Sequence, residues 1–202
     1  MSATILYMSM SLDGFIAGPN DGPDNGLGDG GMALHHWLFA TAAEGDGPNE
    51  ALAKLTGVNR RVADTFMASG AVVAGRRTFD AAHGWEGDHH DGVPVFILSH
   101  NGKPDWAADW PNFHFGSDIA ALMRDAKAAA GGKDVMVHGA GLPQEALRHD
   151  VLDEMVIHLS PVLLGAGRPL FAHLGLEPRW LERLEVLEGE TGVVHLHYRV
   201  RK

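Results

Sequence analysis

The sequence contains no cysteine among its 202 residues. This absence excludes disulfide bonds, zinc sites built from thiolates and cysteine nucleophiles. Positive charge is also scarce, because 16 Lys and Arg stand against 26 Asp and Glu, which gives a formal charge of −10. Nucleic-acid binding needs clustered Lys and Arg to neutralise phosphates, so the composition argues against a nucleic-acid partner.

Long apolar segments are missing as well. No stretch approaches the ~18 consecutive apolar residues that a membrane span requires, and the N-terminal segment lacks the basic start of a signal peptide. With 45% hydrophobic and 21% charged residues, the composition is that of a globular protein. We therefore expect a single soluble, cytoplasmic domain over residues 1–202, with no membrane partner.

Apolar patterns alternate between strand and helix along the chain. Short apolar runs bounded by Gly, Pro or Asp predict buried strands at 71–74, 93–98 and 134–137. Helices are predicted at 32–39 and 60–68. The alternation places the chain in the α/β class, as one domain built on a mixed, mostly parallel sheet flanked by helices.

The clearest helix and the C-terminal strand have distinct signatures. Apolar residues at helical spacing predict a helix over 118–130, with Ser117 as its N-terminal cap. From Val194 to Val200 apolar residues alternate with polar ones, which predicts an antiparallel strand with His195 and His197 on its polar face. The sheet should therefore close in an antiparallel C-terminal pair.

A glycine-rich loop follows the first strand. Residues 18–31 read GPNDGPDNGLGDGG, a composition that cannot bury apolar area. The segment from Gly26 to Gly31 formally matches G-x-G-x-x-G, but it follows a polar loop rather than a strand, which disfavours a dinucleotide fingerprint. We expect a mobile loop at the mouth of a pocket.

Two further segments are candidates for binding phosphate. In His138-Gly139-Ala140-Gly141 a buried strand is followed by a glycine turn and a helix, so backbone amides could approach an anion. An ordinary tight turn explains the same pattern. The segment 75–78, Gly-Arg-Arg-Thr, places two guanidinium groups after a strand, where a solvated basic pair is the alternative.

The 13 histidines raise the question of a metal site. The candidate groups are His83 with His89 and His90, and His195 with His197. Neither has the H-E-x-x-H spacing or an evident carboxylate partner, so no metal is expected. The motif G-x-S-x-G is absent too, which leaves a serine hydrolase without local support.

Five segments in fixed order carry a family resemblance. They are SLDGFIA (11–17), GRRTFD (75–80), VFILSH (95–100), VHGAGL (137–142) and SPVLLGAGRPLF (160–171). Together they resemble the dihydrofolate reductase-like superfamily, and most closely its branch typified by the C-terminal reductase domain of bacterial riboflavin biosynthesis. The resemblance implies a mixed sheet flanked by helices, a homodimer, and NADPH as the cofactor.

The resemblance also implies where the cofactor lies. The 2′-phosphate and adenosine would face Arg76, Arg77, Ser99 and His100. The pyrophosphate would lie against Thr78 and the turn of Gly139, Ala140 and Gly141, flanked by Gly75 and Leu142. The nicotinamide would border Ile16 and Ala17.

Substrate residues are less defined by the resemblance. The candidates around the pocket are Asp13, Asp29, His35 and Trp37. The implied function is an NADPH-dependent reductase that transfers hydride to a C=N or C=O carbon of a small heterocyclic or ribosyl-aminopyrimidine-like substrate. The alternative is a non-catalytic dimeric module that binds a nucleotide or another small ligand.

Overall fold

The computed structural model describes residues 2–172, 174–175 and 177–202. The strands are β1 (Thr4–Ser11), β2 (Phe15–Ala17), β3 (Ala71–Gly75), β4 (Val95–Leu98), β5 (Phe113–Gly116), β6 (Val135–His138), β7 (Glu154–Ser160), β8 (Arg168–Pro169), β9 (Leu181–Glu188) and β10 (Val194–Val200). The α-helices are α1 (His36–Phe39), α2 (Pro48–Ala53), α3 (Gly57–Met67), α4 (Arg76–Ala81), α5 (Ile119–Ala129) and α6 (Gly141–Arg148). A 3-10 helix, Gly31–His35, leads directly into α1.

Eight strands form one mixed sheet in the order β5-β4-β3-β6-β1-β7-β10-β9. The strands from β5 to β7 pair in parallel, whereas β10 is antiparallel to both β7 and β9. A separate short antiparallel pair joins β2 to β8. The α/β class, the mostly parallel sheet and the antiparallel C-terminal pair are thus confirmed.

The central strands are buried on both faces, as expected of parallel strands covered by helices. On one face Leu6, Val73 and Val137 belong to the same buried cluster as the apolar stripe of α5. On the other face Ile5, Val72 and Met136 belong to a second cluster. Continuous apolar runs therefore mark these strands in the sequence, because neither face needs polar side chains.

Two expectations about local structure are wrong. Helix α5 is capped by Asp118 and not by Ser117, since the Asp118 carboxylate accepts the Ala121 amide proton at 2.9 Å. His195 does not lie on a solvent-exposed strand face, because only 2% of its surface is accessible to solvent. The reason is that β10 lies inside the sheet, between β7 and β9, and Trp37 covers the face that carries His195.

The parallel strands β1, β6 and β7 end side by side, and this arrangement positions the site. The register pairs Ser9 of β1 with His158 of β7, while His138 closes β6 on the other flank of β1. His195 of β10 lies directly opposite His158. Within the described ranges, no helix is long and apolar enough to cross a membrane.

Candidate active site

A cavity of about 720 Å³ opens at the carboxyl ends of the parallel strands. Its volume lies within the range of small-molecule sites, and this edge of an open α/β sheet is where ligands bind. The wall combines the ends of β1, β6 and β7 with β2, α1, the start of α4 and the start of α6. Asp21, Gly26 and Leu27 bring the glycine-rich loop to the same cavity.

One part of the wall, which we call the arginine side, consists of Arg76, Arg77 and Arg168. Arg76 begins α4, and its Nε donates to both carboxylate oxygens of Asp80 at 2.9 and 3.0 Å. Its Nη1 donates to the Gly102 carbonyl at 3.2 Å. Arg76 is therefore held in place before any ligand binds, and the carboxylate of Asp80 balances its positive charge.

Asp21 forms ion pairs with the other two arginines, Arg77 and Arg168. Arg168 donates to its two carboxylate oxygens at 2.8 and 3.0 Å, and Arg77 lies 2.9 Å from Oδ1. The hydrogen bond from Arg168, followed by the charge of both guanidinium groups, lowers the pKa of Asp21. Three arginines and two carboxylates (Asp21 and Asp80) leave a net charge of +1 on this side.

The turn between β6 and α6 completes the arginine side. Gly139 has φ +95°, and a Cβ there would lie 2.5 Å from Thr78 Oγ1, so only glycine fits. A Cβ at Gly141 would meet no atom within 4 Å, which leaves open space at the first residue of α6. The concave turn, the free amides of the helix start and the net positive charge fit a dinucleotide pyrophosphate.

A second part of the wall, which we call the histidine side, contains His35, His89, His138 and His158. Burial lowers the pKa of His35 and that of His138 to about 4. The pKa values of His89 and His158 are also lowered well below the ordinary value by burial. These imidazoles are therefore neutral at physiological pH.

Two of these histidines, His158 and His89, are each hydrogen-bonded to another histidine that lies behind the wall. His158 Nδ1 lies 2.9 Å from His195 Nδ1, and His195 Nε2 lies 3.1 Å from Asn59 Oδ1. His89 Nδ1 lies 2.7 Å from His90 Nδ1. Trp37 packs against His158 with 4.5 Å between ring centroids.

The structure brings most of the predicted site residues together. The following residues line the cavity: Ile16, Ala17, Gly75, Arg76, Arg77, Thr78, Gly139, Ala140, Gly141, Leu142, His35 and Trp37. Ser99 and His100 lie outside this wall: Ser99 is buried and accepts a hydrogen bond from the Asn101 amide, and His100 is exposed.

Both candidate aspartates serve loop structure. Asp13 accepts hydrogen bonds from Ser11 Oγ and from the amides of Leu164 and Gly165, so it fixes the turn after β1. Asp29 accepts from the side-chain amides of Asn20 and Asn25 within the glycine-rich loop. Neither lines the cavity wall.

The glycine-rich loop is internally bonded where it borders the cavity. The Gly18 amide donates to the Leu27 carbonyl, and the Asp29 amide donates to the Pro19 carbonyl, both at 2.8 Å. Asp21 connects the loop to α4 through Arg77 and to β8 through Arg168. Its place at the cavity matches the expectation, and its mobility stays a prediction.

Sequence reasoning missed Arg168, His89, His138 and His158 as wall residues. Arg168 lies in the quoted segment SPVLLGAGRPLF, so its position near the pocket was available from the motif. His138 lies in the quoted segment VHGAGL, whereas His158 carried no local signal because its pairing with His195 depends on strand register. Within the described ranges 2–172, 174–175 and 177–202, no group of three or more His, Cys, Asp or Glu could hold a metal ion.

Comparison with known proteins gives the family and the fold. The model of the RibD C-terminal domain matches residues 3–195. The chain belongs to the RibD C-terminal domain family. A relative is the uncharacterized protein YwjB of Bacillus subtilis (strain 168), 27% identical over 203 residues that cover 96% of each chain.

Solved structures show the same fold. A protein from Shewanella sp. PV-4 is 22% identical, with a TM-score of 0.69 and 99% of each chain covered. The dihydrofolate reductase from Enterococcus faecalis, complexed with NADP(H) and RAB-propyl, is 12% identical, with a TM-score of 0.58 over 99% of this chain and 97% of that one. The chain therefore has the fold of the dihydrofolate reductase-like superfamily, which is a reductase-type fold.

Proposed function

We propose that this RibD C-terminal domain is an NADPH-dependent reductase acting on a small heterocyclic substrate of the ribosyl-aminopyrimidine kind. The observation that carries the proposal is the division of one cavity into a cationic, glycine-lined side and a neutral, buried side. The first suits the phosphates of a dinucleotide, and the second suits an uncharged ring. Bound NADPH would supply the hydride to a C=N or C=O carbon.

The arginine side would hold the cofactor. Arg76 and Arg77 are assigned to the 2′-phosphate, Thr78 and Gly139 to the pyrophosphate, and Ile16 to the nicotinamide. Guanidinium groups offer paired donors to phosphate oxygens, which would favour NADPH over NADH. Because Asp21 and Asp80 already engage these arginines, phosphate binding has to displace or share their carboxylates.

The histidine side would orient the substrate and exclude water. Trp37, Phe66 and Leu38 line the same cavity and supply an apolar surface for a planar ring. Trp37 is fixed there by its Nε1, which donates to Ser9 Oγ at 3.0 Å. Such a wall would orient the acceptor carbon toward the nicotinamide of bound NADPH.

One observation favours the non-catalytic alternative. Asp21 is the single carboxylate in the described wall, and it is occupied by Arg77 and Arg168. The neutral histidines are weak proton donors at pH 7, so this site has no strong general acid. A module that binds a nucleotide or another small ligand without turnover would need none.

NADPH oxidation separates the two functions. The protein is incubated with NADPH and a ribosyl-aminopyrimidine, and absorbance of the reduced nicotinamide is followed with a matched sample lacking the pyrimidine. Pyrimidine-dependent oxidation supports the reductase. Saturable NADPH binding without oxidation on a panel of pterins and aminopyrimidines supports the binding module instead.

We also propose that the protein is a cytoplasmic homodimer that pairs through the edge strand β9. This strand has no neighbour on its outer side among the described residues, and Trp180 beside it is 72% exposed. His195 is excluded from such a contact because it is buried. Light scattering at micromolar concentration should give a dimer mass that Trp180→Asp reduces, and a monomer mass for both proteins contradicts the dimer.

A further inference from the structure

Two histidine pairs reach the cavity with the same layout. In each pair the Nδ1 atoms of two rings face each other, one ring lines the cavity, and the other ring contacts an oxygen behind the wall. A neutral imidazole carries one proton, so one nitrogen donates and the other accepts. The identity of the outer oxygen therefore fixes the protons along the whole pair.

The first pair is anchored by Asn59. Its Nδ2 donates to the carbonyls of Trp37 at 3.2 Å and Glu190 at 3.3 Å, so the amide is oriented and Oδ1 faces His195. His195 Nε2 must then carry the proton, which leaves its Nδ1 as an acceptor. His158 Nδ1 donates to it across 2.9 Å. The remaining nitrogen of His158, Nε2, is unprotonated.

The second pair is anchored by a backbone carbonyl. His90 Nε2 lies 3.4 Å from the backbone carbonyl oxygen of Ser69. Because a carbonyl oxygen can only accept a hydrogen bond, His90 Nε2 carries the proton. His90 Nδ1 is then an acceptor, and His89 Nδ1 donates to it across 2.7 Å. His89 Nε2 is therefore unprotonated as well. No other hydrogen bond of His89 or His158 is found within the described ranges.

Burial keeps all four rings neutral, which the assignment requires. It lowers the pKa of His195 to about 4 and lowers that of His90. Beyond burial, neighbouring histidines lower the pKa of both wall rings further, His138 and then His90 for His89, and chiefly His195 for His158. Because each ring carries one proton, the direction of the hydrogen bond within either pair cannot reverse unless the pair loses its hydrogen bond to Asn59 or Ser69.

We propose that two hydrogen-bond acceptors, His158 Nε2 and His89 Nε2, which we call the acceptor wall, select an uncharged heterocycle through its N–H donors. This inference rests on the proposed function and names the substrate edge that the histidine side recognises. An aminopyrimidine carries ring N–H and exocyclic amino donors and meets this requirement. A ligand with only acceptors would leave both nitrogens unpaired in a buried site, which is costly.

The protonation pattern can be read directly in the unmodified protein. Long-range ¹H–¹⁵N correlation spectra at pH 7 distinguish a bare ring nitrogen from a protonated one in each histidine. We expect both His158 and His89 to carry the proton on Nδ1 and none on Nε2. A proton on Nε2 of either ring overturns the assignment for that pair.

Ligand selectivity tests the wall with defined probes. We expect 6-aminouracil, which has ring N–H and amino donors, to bind at least about tenfold more tightly than 1,3-dimethyluracil, which has neither. His158→Leu should reduce this preference about tenfold, whereas His158→Gln, whose amide oxygen can accept, should retain most of it. The two variants therefore differ in whether the side chain offers a hydrogen-bond acceptor.

The two proposals fail in different ways. NADPH titrations of wild type and both His158 variants report on the arginine side alone. Equal binding of the two uracils, or equal loss in both variants while NADPH still binds, overturns the acceptor wall and leaves the reductase proposal standing. If the wild type does not bind NADPH but still prefers 6-aminouracil, the reductase proposal is overturned instead.

Discussion

The two sides of the cavity differ in how they handle charge. On the arginine side three guanidinium groups stay charged and are paired with the carboxylates of Asp21 and Asp80. On the histidine side four titratable rings are kept neutral by burial. Under the proposed function, the charged side would take the phosphates of the cofactor and the neutral side an uncharged ring.

The largest expected effect comes from pH and separates the two sides. His35 and His138 have pKa values of about 4 when folded and 6.5 when unfolded, so the unfolded chain binds more protons between these values. Unfolding free energy should therefore fall as pH drops from about 6.5 to 4, by up to about 3 kcal/mol for each ring.

Urea unfolding at intervals between pH 7 and 4 measures this loss. The arginine side provides an internal contrast, because the pKa of Asp21 is lowered below 3.8 and its contribution is lost only at still lower pH. A stability profile that is flat between pH 6.5 and 4 would show that the rings are not held neutral.

A substitution in the glycine turn should damage the arginine side alone. In Gly139→Val the side chain would meet Thr78 Oγ1 and take φ +95°, which should cost about 3 kcal/mol of stability and abolish tight NADPH binding. Gly132→Val is the matched control, because Gly132 has φ +90°, a Cβ there meets no atom within 4 Å, and the residue lies outside the cavity wall. Equal NADPH affinities for the two variants, measured by calorimetry, would place the cofactor elsewhere.

A smaller effect is expected when the carboxylate between the arginines is removed. Asp21→Asn frees Arg77 and Arg168 and should tighten NADPH binding about fivefold at low salt, with the gain shrinking as salt rises. It should also speed amide exchange in the glycine-rich loop, which Asp21 connects to α4 and β8.

The control is Asp24→Asn, which removes the same charge from an exposed position of the same loop. If both variants raise NADPH affinity equally, overall charge accounts for the gain and the contact between Asp21 and the arginines does not.

The arginine side was largely predictable from the sequence, and the histidine side was not. Gly139 and Arg76 directly follow apolar strands, so short-range pattern and family resemblance placed both at the sheet edge. His158 and His195 are 37 positions apart, and Asn59 is 136 positions from His195. Their relation depends on strand register and on β10 lying inside the sheet, which alternation alone does not reveal.

The same reasoning explains the error at His195. A strand that alternates apolar and polar residues is normally half exposed. Here the polar residue is a histidine that finds partners in His158 and Asn59, so burial costs it no hydrogen bond. The sequence pattern shows that His195 is polar, but it does not show that the fold places hydrogen-bond partners beside it.

Calorimetric titration of NADPH and NADH against wild type and Arg76→Ala tests the central claim most directly. NADPH should bind the wild type more tightly than NADH, and Arg76→Ala should weaken NADPH by about 10- to 150-fold, the range of a hydrogen bond to a charged group. NADH affinity should change little, because it lacks the 2′-phosphate assigned to Arg76. Equal wild-type affinities for the two cofactors, or equal losses in the variant, would contradict the assignment of the arginine side to NADPH.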